Sequence, residues 1–220
     1  MKKKVPAPGL MPSTRARGRP RVAGEALTLR QQSVLAAAAR LLASHRSNAI
    51  TIDQLIAAAG TSKPTFYRWF PGGLGQVLDM LISQANTSLM AAILMAIGRS
   101  QTAEERIRAG IKAYFDWGIA MGPVAQAIYR EGFYEDSVPY RYRQQTVEAV
   151  VSLLEQQALS LGMTGVSRRA IETLVSWIEC AGAILLRDYP VAQDAAEQQC
   201  QMTCAMVIAM LQLYRNHELS

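Results

Sequence analysis

Between Ser62 and Phe70 the chain places hydroxyls, cations and aromatic rings at helical spacing, in the order Ser62-Lys63-Pro64-Thr65-Phe66-Tyr67-Arg68-Trp69-Phe70. Phe66 and Phe70 stand four apart, so one helical face can anchor inward. The opposite face then offers Ser62, Lys63, Thr65 and Tyr67. These are donors, a positive charge and a flat ring, the groups that reach phosphate oxygens and base edges in duplex DNA. Pro64 falls in the first turn, where a missing N–H costs little. Nucleic-acid contact is the chemistry this segment suits.

The elements that must present it are also readable. Thr51 opens a T-x-x-Q pattern in which its side chain caps free N–H groups while Gln54 reaches back to the cap residue. Ile52, Leu55, Ile56 and Ala59 then recur at helical spacing and give a first short helix one buried side. Gly60 supplies the turn into the second, because glycine takes positive φ without a Cβ clash. A preceding helix is predicted over Leu29 to Ser44, with Leu35, Ala38, Ala39 and Leu42 facing the pair.

The run T-I-D-Q-L-I-A-A-A-G-T-S-K-P-T-F-Y-R-W-F-P resembles the DNA-binding signature of TetR-type (tetracycline repressor family) transcriptional regulators. The resemblance covers roughly Leu29 to Leu81. It implies a three-helix head, with DNA contacts drawn from Thr51, Thr61, Ser62, Lys63, Pro64, Thr65, Tyr67, Arg68 and Trp69, followed by an all-helical ligand-binding and dimerisation domain. Two positions depart from the pattern. Thr61 stands where such proteins often carry Val, and Gly73 stands where a Lys after the Phe-Pro pair commonly touches a phosphate.

Charge divides the chain. Residues 1–74 hold 12 Lys and Arg against Glu25 and Asp53, whereas residues 75–220 hold 11 against 15 acids. A basic head on an acidic body is expected if only the head docks on a polyanion. Residues 1–26 carry seven basic residues by Arg21 and no acid up to that point, together with Pro, Gly and Ser, and read as a disordered arm. Its Arg17-Gly18-Arg19-Pro20-Arg21 can lie in a narrow A·T-rich minor groove, with Arg17, Arg19 and Arg21 as the contacts; a solvated basic tail is the alternative. The expected organisation is an arm at 1–26, a helix-turn-helix domain at 27–74 and a helical body at 75–220.

In the body, helices are predicted over Leu74 to Ile97, Thr102 to Met121, Pro123 to Tyr134, Pro139 to Leu161, Ser167 to Leu186 and Ala192 to Tyr214. A Thr102-x-x-Glu105 capping pattern and Gly/Pro breaks mark the boundaries. No strand-like alternation survives, so the fold class is all-α. Tyr114, Phe115, Trp117, Tyr129, Phe133 and Tyr134 cluster around one break and suit an apolar pocket with polar handles, although structural packing is the commoner use of any one aromatic. The candidate ligand contacts are Tyr114, Trp117, Tyr129, Phe133, Tyr134 and Trp177. The last two helices are apolar on more than one side: Ile171, Leu174, Ile178 and Leu185 form one stripe beside Ala170, Trp177, Ala181 and Ile184. Met202, Met206, Ala209 and Leu213 likewise lie beside Cys204, Val207, Leu211 and Tyr214. One core cannot easily absorb both. A homodimer seam is expected there, drawing on Ile178, Leu185, Met206, Ala209, Leu211 and Leu213; a fully buried monomeric core is the alternative.

Other functions fit less well. With only His45 and His217, and without G-x-S-x-G, H-E-x-x-H or a P-loop, the common hydrolytic and nucleotide chemistries lack their residues. Cys180, Cys200 and Cys204 can bind a metal or sense oxidant, but no basic neighbour accompanies them, and small core residues are the expected role. Glu131, Glu135 and Asp136 can bind a cation or form a solvated acidic face. The N-terminal MKKK has no apolar stretch behind it, and runs such as Leu89 to Ile97 fall short of the roughly 18 residues that span a bilayer. The reading is a cytoplasmic, homodimeric, ligand-responsive regulator of transcription that binds a palindromic duplex operator, most often a repressor in families of this look. It is not an enzyme, needs no cofactor or metal, and has no membrane partner. The alternatives are a redox- or metal-responsive regulator using Cys180, Cys200 and Cys204, or a DNA-binding protein with no small-molecule effector.

Overall fold

The computed structural model describes residues 24–160, 163 and 165–215. Among these, every regular element is helical: α1 (Gly24–Ser44), α2 (Ile52–Ala58), α3 (Lys63–Trp69), α4 (Gly73–Gly98), α5 (Ala103–Met121), α6 (Pro123–Glu131), α7 (Val138–Ser160), α8 (Arg168–Leu185) and α9 (Gln193–Arg215). Short 3-10 turns at Ser47–Ala49 and Leu186–Asp188 join or end helices. The first helix starts five residues before the expected Leu29. Glu25, Ala26 and Leu27 are good helix formers and no proline interrupts them, so the helix runs back past Thr28, a residue that could otherwise have capped it.

The head is a three-helix unit closed by the start of α4. Val34, Ala37, Ala38 and Leu42 of α1 meet Leu55 of α2, Phe66 of α3 and Phe70 just beyond it, all completely buried. The helix α4 crosses from this core into the next: Val77, Leu78, Leu81 and Ile82 pack in the head, and Ala85 and Leu89 pack with Ile111, Tyr114, Phe115 and Trp117 of α5. The returning α6 does the same in reverse, with Ala127 in the head core and Ala125 in the body core. A smaller cluster of Val151, Ile171 and Val175 joins α7 to α8.

Contrary to the expectation that every apolar run is too short, α4 is long and apolar enough to cross a membrane by length and composition. Its composition has a local cause. One side of the first half, with Val77, Leu78, Leu81 and Ile82, is buried in the head, and Leu89, Ile93 and Ile97 farther along line a cavity in the body.

The two apolar sides expected on the last helices separate as inner and outer faces. On α9, Thr203, Cys204 and Val207 are buried, whereas Met202, Met206 and Leu213 are exposed and Ala209 lies on the same open side. Three residues expected in the dimer seam do not lie on that side. Ile178, Leu185 and Leu211 pack against the body core, and Ile178 and Leu211 also border the cavity. Period alone cannot tell a seam from the wall of a hollow core, since both need apolar side chains.

Candidate nucleic-acid interface and body cavity

The head's outward face is built from local hydrogen bonds. Thr51 Oγ1 accepts from Gln54 N at 3.2 Å, and Gln54 Oε1 accepts from Thr51 N at 2.8 Å, closing the expected capping box. Gly60 takes φ +62, the left-handed conformation the turn demands. Across the turn, Ser62 Oγ donates to Thr65 Oγ1 at 2.9 Å, and Pro64 sits in the first turn of α3. With Phe66 and Phe70 fully buried, Ser62, Lys63, Pro64, Tyr67 and Arg68 are exposed, and Thr61 and Thr65 are half-buried. Lys63 Nζ lies 3.3 Å from Asp53 Oδ1 in an exposed pair that holds little energy and leaves the cation free to exchange partners.

Two of the expected DNA-facing side chains are otherwise engaged. Thr51 remains exposed, but its hydroxyl serves the cap of α2. Trp69 is buried in the head core, its ring flanked by the Arg30 and Arg68 guanidinium groups, each 6.0 Å from the centroid. It falls three residues after Phe66 and so shares that residue's inward face. Gly73 opens α4 at φ +67, a conformation that a lysine would adopt only with strain. Arg17, Arg19 and Arg21 lie outside the described residues.

The body holds a cavity of about 430 Å³ bordered by side chains from α4 through α9. Tyr114, Trp117, Tyr129 and Phe133 line it; the other two expected contacts do not. Tyr134 is exposed beside the head, with the Arg46 guanidinium 5.3 Å from its ring centroid. Trp177 faces the outer groove between α8 and α9, next to Thr173 and Met210. The lining also holds polar residues that no sequence pattern marks, among them Asn86, Arg106, Arg143, Thr146 and Glu179. They come from α4, α5, α7 and α8, and nothing in their local spacing announces that they share a wall.

Most of this polarity is satisfied inside the protein. Trp117 Nε1 donates to Ser88 Oγ at 2.9 Å, Thr146 bonds Asn86, and Arg143 pairs with Glu179 at 2.7 Å. Burial pushes the Glu179 carboxyl above its ordinary range, an effect the Arg143 guanidinium opposes. Burial likewise lifts the Tyr114 phenol well above its usual value, with the neighbouring Tyr129 adding to it. Arg143 Nε is buried without any hydrogen-bond partner, and the polar neighbour of the buried Tyr114 hydroxyl is the Tyr129 phenol.

The cysteine and acidic candidates find quieter roles. Burial pushes the Cys200 thiol up to about 11 and raises that of Cys204 as well, so both stay protonated and weakly reactive near neutrality. Among the described residues no three His, Cys, Asp or Glu side chains are grouped to hold a metal ion. Glu131 parts from Glu135 and Asp136, which are exposed: it is buried and accepts from both the backbone N–H (2.9 Å) and the hydroxyl of Ser47.

Residues 34–72 match the family described as bacterial regulatory proteins, tetR family. The head therefore carries the DNA-binding signature of that family. The chain is similar to the HTH-type transcriptional regulator EthR of Mycolicibacterium smegmatis, at 36% identity over 90 residues. That stretch covers 40% of this chain and 40% of the relative's own length. The fold extends the likeness beyond the head. A tetR-family transcriptional regulator from Streptomyces coelicolor superposes with a TM-score of 0.58 at 22% identity, covering 83% of this chain and 82% of that one. A TetR-like transcriptional regulator from a Rhodococcus species gives 0.63 at 16% identity, covering 87% and 99%. The relatives and the family are transcriptional regulators rather than enzymes.

Proposed function

We propose that this protein is a regulator of the tetR family, a cytoplasmic, homodimeric repressor that binds a palindromic DNA operator and leaves it when a small molecule fills the body cavity. The observation that carries the reading is the face of α3. Ser62, Lys63, Tyr67 and Arg68 project from a helix whose other side is fixed by fully buried Phe66, with Phe70 buried just past its end, so donors and cations are held at a rigid surface. The excess of basic residues in 1–74 adds attraction for phosphates.

Dimerisation is supported by the outer faces of α8 and α9. Trp177, Cys180 and Ile184 on one, and Met202, Met206, Ala209 and Leu213 on the other, follow spacings of three and four. Ile184, Met202, Met206 and Leu213 are between two-fifths and just over half exposed in a single chain. A second copy would cover this apolar surface, and a twofold protein reads two half-sites about 34 Å apart. A cavity whose lining is mostly apolar fits an effector site. No observation favours the redox- or metal-responsive alternative.

The test is protection of the DNA upstream of the gene by purified full-length protein, followed by a screen for small molecules that release it. The expected result is a twofold-symmetric footprint abolished by Lys63→Ala combined with Tyr67→Ala. Binding that is indifferent to sequence, or unaffected by those substitutions, would overturn the reading.

A further inference from the structure

The head carries one acid where attraction for phosphates alone would call for none. Between Leu29 and Leu74 the chain has Arg30, Arg40, Arg46, Lys63 and Arg68, and the single acid among them is Asp53. Its side chain is 82% exposed. The other side of α2, with Leu55, Ile52, Ile56 and Ala59, packs into the head core, so Asp53 stands on the open side, one turn before the small and exposed Ala57. The 3.3 Å contact from Lys63 Nζ to Asp53 Oδ1 brings this carboxylate beside the first turn of α3, the helix whose outward face carries Ser62, Lys63, Tyr67 and Arg68.

Two ordinary uses account for little of this placement. An acid in the first turn of a helix steadies its N-terminus, and an exposed ion pair adds little energy. Neither needs a carboxylate next to a surface that meets DNA. Once Lys63 moves to a phosphate, Asp53 faces a polyanion without a counter-charge, and the repulsion is relieved only where the duplex presents a hydrogen-bond donor. In the major groove the donors are the amino groups of cytosine and adenine, whereas guanine and thymine present acceptors. Adenine sets the N7 acceptor beside its amino group, which repels the second carboxylate oxygen. Cytosine has no acceptor on its own edge.

Resting on the DNA-binding reading above, we infer that Asp53 is a specificity-determining residue: Lys63 exchanges it for a phosphate, and the freed carboxylate accepts from the N4 amino group of one cytosine in each half-site. Guanine or thymine at that position is turned away by charge.

Full-length wild type, Asp53→Ala and Asp53→Asn are each equilibrated with a random-sequence duplex library, and the bound duplexes are sequenced. Affinities for the selected site and for a scrambled duplex are then titrated, with thermal melts of all three proteins. The wild type is expected to favour cytosine over guanine or thymine at one position of each half-site by at least about tenfold. Asp53→Ala should flatten that position to within about threefold and leave the others as they are. The same variant should bind the scrambled duplex about threefold more tightly, because a repelling charge is gone. Asp53→Asn should turn the position toward adenine, since a carboxamide accepts from N6 and donates to N7. A residue that only steadies α2 would behave otherwise: its loss would lower the melting temperature and change affinity for every sequence alike. Sequence profiles unchanged in both variants, or a wild-type profile with no cytosine that depends on residue 53, would overturn the inference while DNA binding stands. If the wild type selects no sequence at all, the inference and the operator reading fall together.

Discussion

The head and the body solve the packing problem in opposite ways. In the head the largest fully buried side chains, Phe66, Phe70, Leu42 and Leu55, meet around a filled centre. In the body six helices surround about 430 Å³ of unfilled space. A filled core holds one geometry, which is what a surface that reads DNA needs. A hollow core forgoes contacts that would have stabilised it, and thereby leaves stabilisation for a guest to supply.

The comparison breaks most sharply under substitutions that change volume. Phe66→Ala should cost about 3–5 kcal/mol and unfold the head, because its ring is completely enclosed. Val147→Phe, which adds volume to the cavity wall, should cost less than about 1 kcal/mol where overpacking a filled core typically costs about 1–3 kcal/mol. Thermal melts of the two variants check this. A large loss from Val147→Phe would mean that the body is not hollow in solution.

Next in size is the outer face of the body. Met206→Glu places a carboxylate on the exposed side of α9, where a single chain tolerates it and a dimer seam would not. The dimer dissociation constant should rise by about a hundredfold or more with the monomer still folded. Leu211→Glu should behave differently and destabilise the fold itself, since Leu211 borders the cavity. Molar mass in solution and melting temperature separate the two, and an intact Met206→Glu dimer would move the seam elsewhere.

A smaller effect tests the rigid face of the head. Lys63→Ala should weaken operator binding on the order of tenfold and lower the salt slope by about one unit if Lys63 leaves Asp53 for a phosphate. The melting temperature should hardly change, because the pair is exposed. An unchanged salt slope would remove Lys63 from the DNA contacts.

How far each region could be read from sequence follows the same division. The head is specified by neighbours: the Thr51–Gln54 box, the positive φ of Gly60 and the Phe66–Phe70 pair all act within four residues, so a local pattern suffices. The resemblance implies a DNA contact at Trp69, whereas its spacing from Phe66 turns it into the head core. Helix boundaries in the body were also local, as the Thr102–Glu105 box illustrates. The cavity was not. Tyr114, Arg143 and Glu179 converge from α5, α7 and α8, and a hole leaves no periodic trace. Ile178 and Leu211 fit a seam as well as a cavity wall for the same reason, since apolar spacing does not say whether the neighbour is a partner, a core or a void.

The last and smallest effect concerns the joint between the two regions. The helix α6 lines the cavity with Ile128 and Tyr129, and its final turn grips the head. Arg130 Nη2 donates to the carbonyls of Leu42 (3.4 Å) and His45 (3.1 Å) at the end of α1. Buried Glu131 accepts from Ser47 N and from the Ser47 hydroxyl, and the Ser137 hydroxyl donates to the Glu131 carbonyl at 2.6 Å. A guest that shifts α6 therefore pulls on the end of α1 through charged hydrogen bonds, which are stiffer than apolar contacts. Ser47→Ala removes one of these bonds and keeps the backbone N–H contact, so the joint should loosen without opening. Stability should fall by about 1 kcal/mol and operator affinity without effector should stay within about twofold. The ratio of operator affinities with and without a saturating effector should shrink by about fivefold, since that ratio is the coupling free energy between the sites. Both affinities are measured on the same preparation. A stability loss with an unchanged ratio would make the joint a mere fastening, and α4, the other helix shared by both cores, would then have to carry the signal alone.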